Sequence, residues 1–211
     1  MNVIICPGIH PPELTDSFVA SLSIDDNLLV FPANQYPAYS SWHIYHWLQQ
    51  QKLVSQELLF ITFSAGVVGG MGAAISLQLR GFKIVAFIAI DGWGVPLLPM
   101  FPLYRLSHDY FTHWSSAILG GGNESFYAEP SKSHLELWRS PETCQGWRVL
   151  RNEEVGGDRG DSGATPRYAE RYPLGRRKTQ GNAHRWETGR LLLRCSARDY
   201  IKLLLDKYVN G

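Results

Sequence analysis

Over the first 135 residues, short apolar runs alternate with longer amphipathic stretches. Val3–Cys6, Leu28–Phe31, Leu58–Phe63 and Lys83–Ile90 are strand-length and rich in Val, Ile, Leu and Phe. Such near-continuous hydrophobicity marks strands buried on both faces. Between them, Pro12–Leu22, Tyr39–Lys52 and Gly66–Arg80 are each long enough for a crossover helix. Strand and helix in alternation predict an α/β fold, a parallel sheet with helices on both sides. Phe126–Glu129 adds a further strand and Ser116–Leu119 a weaker one. The expectation is therefore a three-layer α/β/α domain with a mostly parallel sheet of five or six strands. From Trp93 to Trp114 aromatics and prolines crowd together without a period, as in a cap over a site or a second layer of core. Near the C-terminus Ile201, Leu204, Leu205 and Tyr208 recur at helical spacing, so 191–211 reads as a closing helix docked on the body.

Composition changes this picture at one place. Between Arg151 and Gly189 only 8 of 39 residues are apolar, against 7 Gly. Such a stretch buries too little apolar surface to offset its ordering entropy. The chain thus divides into a core over 1–147, an inserted or disordered segment over 148–190, and the helix over 191–211. The net charge of +1 hides two unlike parts: 6 Lys and Arg against 11 Asp and Glu before Arg148, and 14 against 8 from there on. The basic run Gly175–Lys178 reads as a solvated loop, and the overall balance lacks the surplus that a nucleic-acid partner demands. The longest apolar run, Ile84–Ile90, is far short of a membrane span, and MNVIICPGIHPP reads as a strand entering a turn and not as a secretory signal. A cytoplasmic location is expected. Cys6, Cys144 and Cys195 are widely spaced, which predicts reduced structural thiols.

In sheets of this kind chemistry collects at the carboxyl ends of the strands. The third run ends in TFSAGVVGGMG, one residue away from G-x-S-x-G. Ser64 follows the strand directly and Gly66 stands two residues on, the context of a nucleophile elbow, although Thr62 places a β-branched side chain where a small one is usual. The same stretch also reads as G-x-x-x-G-x-G through Gly66, Gly70 and Gly72, a nucleotide-binding turn with Asp91 as its ribose partner. Against this, two strands precede the turn and no Tyr-x-x-x-Lys follows it.

A serine nucleophile needs a base, and His134, a few residues past the Phe126–Glu129 run, is the best placed histidine. Asp91, ending KIVAFIAID, is the first choice to orient its ring, with Asp109, Glu124 and Glu129 as fallbacks. Backbone N–H groups of Ala65 and of the Gly8–Ile9 loop would form an oxyanion hole. The pairs His108/His113 and His43/His46 do not have metal-site spacing, and no metal or cofactor is expected.

The PGIHPP loop, the TFSAGVVGG elbow, the strand end at Asp91 and the His-bearing SHLELWRSPE together resemble the α/β-hydrolase superfamily, in particular its small, little-characterised members from photosynthetic bacteria. The resemblance covers 1–147 and the last helix. It implies a serine hydrolase, an esterase, thioesterase or lipase-like enzyme, that acts on a small or lipophilic acyl substrate through Ser64, His134 and Asp91. A hydrolase-like binding protein without catalysis and an NAD(P)-binding protein resembling short-chain dehydrogenases are the alternatives.

Overall fold

The computed structural model describes residues 1–24, 27–92, 94–97, 99–120, 122–150, 184–187 and 190–209. In chain order the elements are β1 (Asn2–Cys6), α1 (Pro12–Leu22), β2 (Leu28–Val30), α2 (Ser41–Gln49), β3 (Glu57–Phe63), α3 (Ala65–Gln78), β4 (Lys83–Ile90), β5 (Leu103–Ser107), α4 (Tyr110–Ala117), β6 (Glu124–Ala128), α5 (His134–Arg139), β7 (Gln145–Val149), β8 (His184–Glu187), β9 (Arg190–Ser196) and α6 (Ala197–Val209). Among the described residues they build one α/β unit on a single nine-stranded sheet of order β2-β1-β3-β4-β5-β6-β7-β9-β8. Strands β1 to β6 are parallel, and β7, β9 and β8 continue the sheet in antiparallel pairs.

The central parallel strands β1, β3 and β4 are almost continuously apolar, because both of their faces are covered. Val3, Ile5, Leu59 and Ile61 meet Phe18, Leu137, Trp138, Tyr200 and Leu204 from α1, α5 and α6. Their neighbours Ile4, Leu58 and Phe60 meet Ile44, Leu48, Val67 and Leu77 from α2 and α3. Helix α3 is apolar on nearly every side because it lies between β1, β3 and β4 below and α2 above. The order β2-β1-β3-β4 reverses direction between β1 and β3, and at such a reversal the loops leave the sheet to opposite sides and open a crevice over the strand ends.

Several expectations are corrected. The sheet has nine strands where five or six were expected, and the additional ones are mostly antiparallel. Ser116–Leu119 is not a strand, since α4 runs to Ala117. The strand lies earlier, at Leu103–Ser107, inside the stretch read as a cap or second core layer. The region 191–211 is not all helix: Arg190–Ser196 pairs with β7, and the helix starts at Ala197. Of the segment expected to be inserted or disordered, Arg148–Leu150 is buried at the end of β7 and His184–Glu187 pairs with β9, while 151–183, including the basic run 175–178, and 188–189 lie outside the described residues.

Candidate active site

The elbow is real geometry. Ser64 joins β3 to α3 at φ 52° and ψ −121°, a backbone conformation a non-glycine residue adopts only under strain of roughly 1–3 kcal/mol. Its N–H donates to Ile90 O at 2.9 Å, which fixes the turn to the end of β4. The turn closes because Gly66 lies against the β1 loop: a Cβ there would stand 2.2 Å from Cys6 O and 2.4 Å from Pro7 O. Thr62 does not crowd the elbow as its β-branch suggested. Its Oγ1 donates to Ile88 O at 3.0 Å, and its methyl occupies the space left by Gly70, where a Cβ would approach it to 2.8 Å.

Asp91 ends β4 at φ 51°. Its own N–H donates to Leu106 O at 2.8 Å, so the strained residue is tied to β5 as Ser64 is tied to β4. The Asp91 side chain is 1% exposed and its carboxylate accepts three hydrogen bonds. His108 N–H donates to Oδ1 at 2.9 Å, and the Nδ1 atoms of His108 and His134 each donate to Oδ2 at 3.0 Å. A carboxylate only accepts, so each imidazole carries a proton on Nδ1.

His134 opens α5, whose first turn is capped by the Ser133 hydroxyl accepting from Glu136 N–H. Its ring stacks on Phe63 at 4.6 Å and 24°, and Phe63 in turn stacks on Trp138 at 4.9 Å. With the ring clamped and Nδ1 committed to Asp91, the lone pair of the neutral ring falls on Nε2. His108 stands edge-on to His134 at 6.0 Å, and its Nε2 lies 3.4 Å from Asp109 Oδ2. The hydrogen bond to Asp91 raises the pKa of His108 above the usual histidine value, against the opposing effect of burial, with the charges of Asp91 and Asp109 acting in the same upward direction.

Ser64, Ala65, Val68, Asp91, Val95, His108, Phe111, Thr112 and His134 line one cavity of about 550 Å³, within the range of small-molecule sites. Serine and histidine thus face the same space, although among the described residues no hydrogen bond joins Ser64 Oγ to either ring. Ala65 N–H opens α3, where the first N–H groups of a helix lack intrahelical acceptors. Gly8 packs against the serine, since a Cβ on it would lie 2.9 Å from Ser64 Cβ, while Ile9 beside it is 74% exposed.

Among the described residues none of the fallback acids bonds His134. Glu124 pairs with Arg148, Glu129 receives Trp147 Nε1, and Asp109 caps α4 by accepting Thr112 N–H at 2.6 Å. The nucleotide-binding reading loses its ribose partner, because Asp91 is occupied by two imidazoles. The glycines it rests on serve close packing of α3: Gly66 against β1, Gly70 against Thr62 and Gly72 against Ser41. Of the two histidine pairs read as having no ligand role, the His43 ring bonds the hydroxyl of Ser40, the N-cap of α2, and His46 bonds Trp42 O, but His108 belongs to the site. Asp91, His108 and His134 present donor atoms all within 4.8 Å of one another, a set that a divalent ion could also use. Sequence reasoning missed His108 because it missed β5, at whose carboxyl end His108 sits. Among the described residues no helix is long and apolar enough to cross a membrane. Comparison with family models, with curated proteins and with solved structures finds no match.

Proposed function

We propose that the chain is a serine hydrolase on an α/β-hydrolase-like, three-layer α/β/α frame, acting on a small or lipophilic acyl ester, thioester or amide. The observation that carries this reading is the combination at one cavity: a serine in a strained strand-to-helix turn, and a histidine whose Nδ1 is held by a buried carboxylate. Strain at a catalytic turn is retained only where the surroundings over-determine it.

In the mechanism, His134 Nε2 takes the Ser64 hydroxyl proton as Oγ attacks the acyl carbon. Asp91 holds the tautomer and offsets the charge of the imidazolium that forms. The oxyanion is met by Ala65 N–H and a second N–H from the Gly8–Ile9 loop. On collapse the bond to the alcohol, thiol or amine breaks, and the leaving group departs with the proton from His134. Water then repeats the sequence on the acyl-serine, releasing the carboxylic acid and restoring the hydroxyl. Val68, Val95 and Phe111 give the cavity apolar walls, which suit an apolar acyl or alcohol group.

The test is labelling with a fluorophosphonate, which reacts with activated serines. Labelling of the wild-type chain that vanishes in Ser64→Ala and His134→Ala supports the reading; a folded wild-type protein that takes no label refutes it and leaves a hydrolase-like ligand-binding protein. A second reading is favoured by the two imidazoles on Asp91: a two-histidine, one-carboxylate centre for a divalent cation. Stoichiometric zinc binding abolished by His108→Ala, with no serine labelling, would favour it.

A further inference from the structure

Below α4, on the side of the sheet away from α6, a separate cavity of about 220 Å³ is lined by Arg105, His113, Ala117, Asn123, Glu124, Ser125, Val149, Leu150 and Arg190. That volume equals roughly seven waters at ~30 Å³ each. Arg105, Ser125 and Val149 are register partners on β5, β6 and β7, so alternation puts their side chains on one face. Glu124, one residue off that register, turns its carboxylate to the opposite face. There it pairs with Arg148, whose guanidinium lies 5.4 Å from the Tyr200 ring of α6. The acidic member of the lining is therefore spent on the far side of the sheet, and the cavity is left with cations.

Arg105 is the decisive group. It is 5% exposed, its Nε has no hydrogen-bond partner, and among the described residues no carboxylate lies within ion-pair distance of it. Among the described residues its Nη2 donates only to Val95 O, at 3.3 Å. A buried cation without a counter-charge is costly, and native structures do not leave such groups unanswered without a reason. Burial lowers the Arg105 pKa to about 10. His113, facing Arg105 from β5 and Arg190 from β9 with the Tyr110 and Tyr127 rings alongside, is lowered to about 4, by burial first and then by the two arginines.

We propose that this cavity binds a small oxyanion of the phosphate or carboxylate class, held by Arg105 and Arg190 with His113 and the Ser125 hydroxyl as further donors. The site is distinct from the Ser64 cavity. Helix α4 separates them, giving Phe111 and Thr112 to one and His113 and Ala117 to the other. The assignment holds whether or not Ser64 is a nucleophile.

The experiment is NMR titration of the His113 ring in the full chain, with inorganic phosphate in one arm and acetate in the other, beside Arg190→Gln and Arg105→Gln. Arg190 is exposed, so its variant keeps the fold where Arg105→Gln fails to. A bound anion offsets the two arginine charges and raises the His113 pKa. We expect at least one arm to move the His113 titration upward by about one pH unit or more, and Arg190→Gln to weaken that binding about tenfold or more. The arm that gives the larger shift names the class of ligand. A His113 titration unmoved by both anions overturns the proposal, as does anion binding that Arg190→Gln leaves unchanged.

Discussion

Asp91→Asn separates catalysis from stability at the proposed site. The carboxylate accepts from one donor that cannot move, the His108 N–H, and from two that can, the Nδ1 atoms of His108 and His134. An amide has one oxygen to offer. The fixed N–H holds that oxygen, which turns the amide NH2 toward the two rings. Each ring then shifts its proton to Nε2 and accepts at Nδ1, so all three contacts survive as neutral hydrogen bonds. Three charge-assisted bonds become neutral ones, a loss of about 1 kcal/mol each, opposed by relief of the buried charge. A net cost within about 2 kcal/mol corresponds to a Tm lower by no more than about 8 °C in a chain of this size. Catalysis does not survive, because a His134 protonated on Nε2 cannot take the serine proton. Replacement of the aspartate in a serine triad lowers the rate about 10⁴-fold, or ~5.5 kcal/mol at 1.36 kcal/mol per decade. The assay is the second-order rate of fluorophosphonate labelling, read beside calorimetric Tm. A labelling rate within tenfold of wild type would refute the role given to Asp91.

Gly66→Ala should be destabilising although alanine is the better helix former, because its Cβ would meet the Cys6 and Pro7 carbonyls at 2.2 and 2.4 Å and neither backbone group can rotate away. Overpacking of about 3 kcal/mol against a helix-propensity gain of about 1 leaves a loss near 2 kcal/mol. Urea unfolding measures it, and a variant as stable as wild type would show that the β1 loop yields. The pH dependence of stability should carry the signature of His108, whose folded pKa is raised. Its contribution is complete below the unfolded value of 6.5 and is lost as pH rises through the higher folded value. The stability difference between wild type and His108→Gln, measured from about pH 5 to about pH 9, should therefore shrink with rising pH, and a constant difference would contradict the Asp91 contact. Burial raises the thiols of Cys144 to about 11 and Cys195 to about 12, and pushes Cys6 higher still. Iodoacetamide at neutral pH should modify all three only after denaturation, and fast alkylation of the native chain would show that they are accessible.

How much of this was legible in the sequence follows from what each residue borders. Strands β1, β3 and β4 could be read because both faces are buried and nearly every position is apolar. Strand β5, LYRLS, could not, since Arg105 faces the polar cavity and Ser107 lies near the site, so polar residues interrupt the run although all five positions are buried. Strand β7 straddles the boundary drawn at residue 147, and β9 runs straight into Ala197 without a break in its apolar pattern, so it read as the start of the closing helix. Ser64, Asp91 and His134 stood out because each closely follows a legible strand. His108 follows one that was hidden, and an acid holding two histidines is a fact of three dimensions that no spacing along the chain expresses.

The two strained residues at the strand ends have a bearing on how such a protein can diversify. Ser64 and Asp91 are each moored by their own N–H to the carbonyl of the next strand, at Ile90 and Leu106. Their relative placement is therefore inherited from the ladder of the sheet and owes nothing to the segments that follow them. The walls of the cavity come from other segments: Val68 from α3, Val95 from the loop after Asp91, and Phe111 and Thr112 from α4. Strand-end groups and outer walls are separable parts, so the less buried wall positions Val95 and Phe111 can change to admit a different molecule while Ser64, Asp91 and the distance between them stay as they are.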